Sequence, residues 1–502
     1  MRMQAYGRMH PEDSVCVAVR ELQRGEEVVL DGRTLSVREP IPAGHKLALR
    51  PICRGEQVIK YGYPIGHAAA DIPAGGWVHT HNLVTDLDGL LGYRYTPAEP
   101  PALPVPAERF FLGYPREGGD VGIRNELWVV PTVGCVNAIG SRIVEAFLKS
   151  VGCGGGEVPE GVDDVRVLAH PYGCGQEGYD HENTQNALAM AVRHPNAGGV
   201  LVLGLGCEDN RIAEFQKVLG AYPSDRVCFL ETQLVEDEIA AGASLLRQLY
   251  ERARQDRRVR TPFSKLRVGL ECGGSDGFSG LTGNPLLGAL SDVIVACGGS
   301  VVMTEVAEMF GAETILMNRA ADRQTFEKIV EMVNGYKQYC MDNGASISGN
   351  PSLGNLDGGI STLEEKSLGC IQKGGRAPVV DVLRYGRPLE KAGLHLLWAP
   401  GSDTAGTTAL GLCCHMVVFT TGRGTPYGGF VPTFKVATNS QLYRRKRHWN
   451  DFDAGQLLTG TSMDSALTAL WAQLEAVAGG ELTAAEHNGF KEFVIWKNGV
   501  SE

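Results

Sequence analysis

Apolar and polar positions alternate in two different ways along this chain of 502 residues. Over residues 1–95 the apolar positions fall in short β-rich runs, 15–20, 35–39, 46–49, 58–61 and 77–81. Glycine turns such as Arg24-Gly25-Glu26 and Arg54-Gly55-Glu56 separate them, which predicts a small compact β module. From residue 108 the apolar runs alternate with segments of helical period. The runs 127–133, 165–169, 200–205, 227–230, 266–270, 293–296 and 301–304 read as buried parallel strands. Segments 137–150, 181–193, 209–219 and 236–255 read as the helices between them. After a glycine-rich interval, 344–375, a second set of runs follows at 379–383, 394–398 and 416–420. That set predicts a second α/β lobe, unless it joins the sheet of the first. Prolines at 97, 100, 101, 104 and 106 predict a semi-rigid linker. The expected division is a β module at 1–95, a linker at 96–107, a first α/β lobe at 108–350 and a second at 351–502.

Charge and cysteine usage narrow the function classes. The net charge is −11, and the longest basic run is Arg444-Arg445-Lys446-Arg447, so no nucleic-acid partner is expected. No apolar stretch reaches the length of a membrane span. Thirteen cysteines, an odd number, occur without an apolar signal core in residues 1–12. Reduced thiols and a cytoplasmic location are expected.

Nearly every predicted strand runs out into a loop of glycine plus a reactive side chain, where an open parallel sheet carries its chemistry. These loops hold Gly134-Cys135-Val136-Asn137, Gly206-Cys207, Glu271-Cys272-Gly273-Gly274 and Thr421-Gly422-Arg423. The densest is 168–184, with His170, Cys174, Glu177, Asp180, His181 and Glu182, where Asp180 is placed to cap a helix starting at His181. One Gly-Cys turn means little, because cysteine is often simply buried. Three of them plus Cys272 at corresponding places point to a ligand, although any single one can be a packed small hydrophobe. His79 and His81 would share one face of a strand and could hold a metal or an anion; an exposed polar strand face accounts for them equally well. Familiar cofactor motifs fail. Gly204-x-Gly206 has Asp209 in place of a third glycine, and neither a Walker loop nor a Cys-x-x-Cys pair occurs.

Several long segments, from Gly119-Asp-Val-Gly-Ile-Arg124-Asn125 to Thr421-Gly-Arg423-Gly-Thr-Pro426, resemble one family, the altronate and galactarate dehydratases with an N-terminal SAF domain. Between these two stand Glu271-Cys-Gly-Gly-Ser-Asp276-Gly, Thr304-Glu305-Val-Ala-Glu308 and Lys366-Ser-Leu-Gly-Cys370. The resemblance implies an α/β protein: a small β-clip (SAF) module, then a catalytic region of two Rossmann-like lobes with mostly parallel sheets. It implies a metal-dependent hydro-lyase that converts D-altronate to 2-keto-3-deoxy-D-gluconate and water in hexuronate breakdown. Galactarate or a related sugar acid is the alternative substrate. A non-catalytic sugar-acid binder is the alternative class, but it has no use for thiols at four strand ends. The implied cofactor is iron(II), replaceable by manganese, with ligands among His79, His81, His170, Cys135, Cys174, Cys207 and Cys272. An iron–sulfur cluster on three thiolates is the lesser alternative. His170, His181, Glu305 and Lys366 are the acid–base candidates. For the sugar acid the candidates are the cations Arg124, Arg423 and Lys435, with Asn125, Asn137, Thr421 and Asn439 for hydroxyls. The expected partners are a small sugar acid and a second copy of the chain. The strand-end loops are expected to converge on one cleft, with the β module folded back so that His79 and His81 face it.

Overall fold

The computed structural model describes residues 6–30, 32–103, 108–154 and 156–498. Its first large sheet has four parallel strands, β1 (Glu126–Pro131), β2 (Asp164–Val167), β3 (Ala197–Gly204) and β4 (Val227–Glu231), in the order β2-β1-β3-β4. Every residue of β1 and β3 is buried, as central strands covered on both faces must be. Successive side chains go to opposite faces. Leu127, Val129, Leu201 and Leu203 pack on α1 (Asn137–Ser150) and α4 (Glu238–Ala253). Trp128, Val130, Val200 and Val202 pack on α2 (Gly178–Val192) and α3 (Ile212–Leu219).

The second sheet has seven strands: β5 (Arg267–Cys272), β6 (Ser300–Met303), β7 (Val379–Leu383), β8 (Gly393–Leu397), β9 (Met416–Thr421), β10 (Thr433–Ala437) and β11 (Phe452–Asp453). Their order is β7-β8-β6-β5-β9-β10-β11, and every pairing is parallel. The lobe boundary expected at residue 350 is therefore corrected. The predicted strands 266–270 and 301–304 pair with β9 and β8, so the first lobe ends after α4. The run 293–296 is not a strand. It forms the last turn of α5 (Gly283–Ala296), because a short buried apolar run has no period of its own to separate helix from strand.

Both sheets rise from a shared floor. The His194 ring nitrogen Nε2 meets the Cys414 carbonyl at 3.1 Å, and Asn196 Nδ2 donates to the His415 carbonyl at 2.8 Å. These bonds join the turns that enter β3 and β9. Above them α2 packs on α8 (Asp403–Cys413) through Leu188, Ala191, Ala409 and Leu412. The two carboxyl edges thus face the same end of the molecule. This lobe also holds the helices α6 (Arg323–Asp342), α7 (Leu363–Cys370) and α9 (Met463–Ala478).

The N-terminal module is a set of small antiparallel sheets. The strand expected at 77–81 stops at Val78. The Asn82 side chain accepts from the His79 N–H at 3.0 Å and closes residues 79–82 into a turn, so His79 and His81 do not share a strand face. The linker runs back along the second lobe, with the Ala98 N–H on the Asn318 carbonyl at 2.7 Å. Residues 104–107 of it lie outside the described residues. Among the described residues no helix is long and apolar enough to cross a membrane.

Candidate active site

In the second sheet, the connections leave β5 and β9 in opposite directions. An open α/β sheet binds its ligand at such a reversal, beyond the carboxyl ends of the strands. There β5 ends in Glu271-Cys272 and enters a glycine turn. A Cβ at Gly273 would lie 2.2 Å from Asp403 Oδ2, so only glycine lets this turn sit against the start of α8. The loop after β6 brings Glu305 and Glu308, and α7 presents Lys366 and Cys370, four residues apart on one helical face. Glu305 has a left-handed backbone with φ of 68°, an uncommon conformation for a residue with a side chain, and such strain collects at functional sites.

These side chains form one buried cluster. Cys272 Sγ lies 3.1 Å from Glu305 Oε1, 3.6 Å from Glu308 Oε2 and 3.8 Å from Cys370 Sγ. Lys366 Nζ pairs with Glu308 Oε1 at 2.7 Å and also donates to Asn350 and Asn355. Lys373, fully buried, pairs with Glu305. The Cys370 thiol bonds to Cys272 and holds its pKa well below the usual value, while Cys370 is pushed up, so the two thiols share one proton. Burial raises Glu271 and Glu305. Burial also lifts Glu308 to about 7 and Asp403 to about 6, placing both near neutrality. For Lys366, burial opposes the charge, but Glu308 and Cys272 outweigh it and its pKa rises. Glu308, Lys366, Asp403 and Cys272 line a cleft of about 400 Å³, together with Asn350 and Asn355. That is within the ordinary range for a small-molecule site, about 300–1,000 Å³.

The cluster also fits a cation. Cys272, Glu305, Glu308 and Cys370 each bring a ligand atom, all within 4.8 Å of one another. Both carboxylate oxygens of Glu271 are buried without a hydrogen-bond partner. Four carboxyl groups and two thiols here face only two ammonium groups, an imbalance that a divalent ion corrects.

The sequence candidates divide. Cys272, Glu305 and Lys366 come together here. Glu271 and Asp403 stood in strand-end loops without a role of their own, and Glu308, Cys370 and Lys373 were not candidates, although Glu305-x-x-Glu308 and Lys366-x-x-x-Cys370 have the spacing of one helical turn, the signal that could have found Glu308 and Cys370. Arg423 and Asn439 line a second cleft of about 370 Å³ on the other side of the 273–277 turn, beside Asp276 and Ala43 of the N-terminal module.

Other candidates are committed elsewhere. Arg124 gives all five N–H donors to Glu486 and to the carbonyls of Ile123, Val477 and Glu481, leaving none for a substrate. Asn125 is likewise saturated by Gly161, Ala253 and Arg116. Lys435 is fully buried on the Thr425 carbonyl, Thr421 accepts from the Gly424 N–H, and Asn137 donates to the His170 carbonyl. His170 is buried between the Pro131 carbonyl and the Tyr172 N–H, and burial lowers its pKa to about 4, so it fastens two loops and is a poor base. His181 lies in the first turn of α2. That helix starts at Gly178 after Glu177, and Asp180 sits inside it and accepts from the Asn498 N–H, so Asp180 is not the cap expected from the sequence.

The module does fold back, but as a buttress for α7. Lys46 and Lys60 both reach Glu365, each at 2.7 Å, and all three side chains are buried. The two lysines overcome the cost of burial and hold Glu365 down to about 2. His79 Nδ1 lies 2.7 Å from Ser361 Oγ, and His81 is exposed beside Trp77. Neither histidine belongs to the ligand group. Cys135, Cys174 and Cys207 stand at the edge of the other sheet, so the single convergence of all the thiols is corrected to two sites, one on each sheet.

Comparison with known proteins agrees with this architecture. Residues 263–501 match the family described as D-galactarate/Altronate dehydratase, C-terminal. Residues 113–254 match D-galactarate dehydratase/Altronate hydrolase, second domain, and residues 4–86 the Altronate/galactarate dehydratase SAF domain. The chain is 52% identical over 497 residues to altronate dehydratase of Escherichia coli, covering 99% of both chains. It is 50% identical over 501 residues to altronate dehydratase of Bacillus subtilis, covering 99% of this chain and 100% of that one. Galactarate dehydratase (L-threo-forming) of Escherichia coli is 34% identical over 480 residues, covering 91% and 89%. With near-neutral carboxyl groups gathered at the sheet's reversal and likeness running from end to end, the chain belongs to the altronate and galactarate dehydratase family.

Proposed function

We propose that this protein is a hydro-lyase that removes water from D-altronate to give 2-keto-3-deoxy-D-gluconate. The observation that carries the reading is the meeting of Glu308, Asp403 and Lys366 in one cleft, with two carboxyl groups tuned near neutrality. The reaction takes a proton from C2 and expels hydroxide from C3, so it needs a base and an acid that both work near pH 7. Asp403, the lower of the two at about 6, is ionised near pH 7 and takes the C2 proton. Glu308, at about 7, keeps a proton and gives it to the leaving hydroxide, which departs as water. The enol left behind takes up a proton at C3 and becomes the 2-keto acid. Lys366 stays cationic and lies against the substrate carboxylate, whose charge grows as C2 loses its proton. Asn350 and Asn355 hold the lysine in place.

Cys272, Glu305 and Cys370 are the residues that would hold a ferrous ion, with Glu271 beside them. Thiolate donors favour iron over manganese. Such an ion supplies positive charge for the substrate's carboxylate and neighbouring hydroxyl. Altronate is preferred to galactarate as substrate because the relatives named for altronate share half of all residues with this chain and the galactarate relative about a third. A cytoplasmic, dimeric enzyme remains part of the reading, with the dimer open to sedimentation analysis. The test is turnover by purified protein supplied with ferrous iron and a thiol reductant. D-altronate should yield the 2-keto-3-deoxy acid faster than galactarate does. Equal or faster turnover of galactarate assigns the sister activity, and turnover of neither refutes the hydro-lyase.

A further inference from the structure

The edge of the four-stranded sheet carries a set of metal-ligating side chains that the proposed reaction leaves unused. The connections leave β1 and β3 in opposite directions, so this sheet has its own ligand crevice between their carboxyl ends. Cys135 follows β1, Cys207 follows β3, and Cys174 follows β2 next to them. The chain has four exposed cysteines, and three of them are these; the fourth is Cys53 in the N-terminal module. Exposure at a ligand crevice is not what packed small hydrophobes show.

The three loops are bonded into one unit. The Gly134 N–H donates to the Tyr172 carbonyl at 2.8 Å, the Asn210 N–H to the Gly173 carbonyl at 3.3 Å, and the Gly175 N–H to Asp209 Oδ2 at 3.0 Å. Gly173 has φ of 103°, and a Cβ there would lie 2.0 Å from the Thr132 carbonyl oxygen. The glycines beside the thiols are what let the loops close on each other.

The spacing selects the kind of ligand. One tetrahedral ion with bonds of about 2.3 Å draws its sulfurs to about 3.8 Å from one another. These three sulfurs do not form a group within 4.8 Å, as the Cys272 cluster does. A cluster places each thiolate on a different iron, with inorganic sulfide between, and accepts a wider spacing. Amide donors lie in the same stretches of chain. Gln176 Nε2 and Asn183 Nδ2, on residues more than nine-tenths buried, have no hydrogen-bond partner, and Gln233 Nε2 lies 3.8 Å from Cys207 Sγ.

We propose that Cys135, Cys174 and Cys207 hold an iron–sulfur cluster, with one iron of a four-iron cluster left free of protein ligands. That iron is a Lewis acid open to an oxygen ligand such as a 2-hydroxy carboxylate. The proposal stands apart from altronate turnover, because its test needs no substrate.

The full-length protein, purified without oxygen and treated with sulfide and with ferrous and ferric iron in equal parts, which together make up the oxidised core with no added oxidant, should bind iron and sulfide in about equal amounts and show the visible absorption of a cluster. Cys135→Ser, Cys174→Ser and Cys207→Ser should each lose most of the sulfide and the absorption, while Cys53→Ser keeps them. On the wild-type chain, alkylation mapped by mass spectrometry should label the three thiols before reconstitution and spare them afterwards, so the result does not depend on a variant folding. Iron bound without sulfide overturns the cluster. Thiols alkylated equally before and after reconstitution, or a signal that disappears with Cys272→Ser alone, overturn the site.

Discussion

Arg124 and Lys366 are both buried cations in segments that resemble the same family, yet their partners give them different work. Arg124 bridges the entry of β1 to the carboxyl-terminal segment and has no free donor. Arg124→Ala should therefore cost about 3–5 kcal/mol, because it strands the buried Glu486 charge. Denaturant unfolding should show this loss, and the KM of the folded fraction should stay where it was. Lys366 and Glu308 face the cleft. Glu308→Gln keeps shape and hydrogen bonding but cannot give up a proton, so kcat should fall by about 100- to 10,000-fold with little change in unfolding midpoint. An unchanged kcat would remove Glu308 from the proton transfer. Residue identity was legible at this scale where it came with glycine, as at Cys272. Burial was not legible: nothing in Glu308 or Asp403 as letters tells that desolvation brings them near neutrality.

Among the elements, α7 shows how the N-terminal module acts on the site without touching it. Its Glu365 sits between Lys46 and Lys60, one residue before Lys366. Strand and helix runs were mostly readable from period, and 137–150 has the ends predicted for it. The misreadings have local physical causes. A valine-rich helix end reads as a strand, and the Asn82 side chain turns the chain where the apolar pattern continues. The Lys46–Glu365–Lys60 bridge joins positions some three hundred residues apart, which no local pattern encodes. Its pH dependence follows from the depressed carboxyl. Glu365 titrates at about 2 in the folded chain. Its pKa is about 4.3 when unfolded. The bridge therefore contributes its full stabilisation above about pH 4.3, on the order of 3 kcal/mol, and loses it as pH falls towards 2. Glu365→Gln should show a stability deficit near pH 5 that narrows as pH falls below about 4. Hydrogen exchange should rise across α7 and in the strand pairing of Lys46. A deficit that grows as pH falls below about 4 would contradict this sign.

Over the whole molecule, what decides the architecture is which strands pair, and period alone is silent on that. The two sheets alternate helix and strand alike. Only the pairing of β5 with β9 and β6 with β8 assigns the middle of the chain to the second sheet. The sheets are then fused by a single apolar layer. Trp128 and Val202 from the first sheet, Leu188 and Val192 from α2, Leu410 and Leu412 from α8, and Phe430, Phe493 and Ile495 from the carboxyl-terminal half all belong to it. Because neither lobe covers this layer alone, the two lobes should unfold together. Calorimetry of the full chain should give one main transition for both, with the calorimetric and van't Hoff enthalpies close. Phe493 packs at right angles on Phe430 with ring centres 5.1 Å apart. Phe493→Ala should destabilise by about 3–5 kcal/mol, the usual cost of emptying a buried aromatic site. The variant also separates two accounts of the fold. If the layer fuses the lobes, the single transition moves down in temperature and can broaden as coupling weakens, yet thiol labelling at Cys135 and at Cys272 rises together through it. If the lobes are independent and merely touch, Cys135 becomes reactive at one temperature and Cys272 at another, in the wild type as well as the variant. Separate labelling transitions in the wild type would exclude the shared core as the element that holds both carboxyl edges at one end of the molecule.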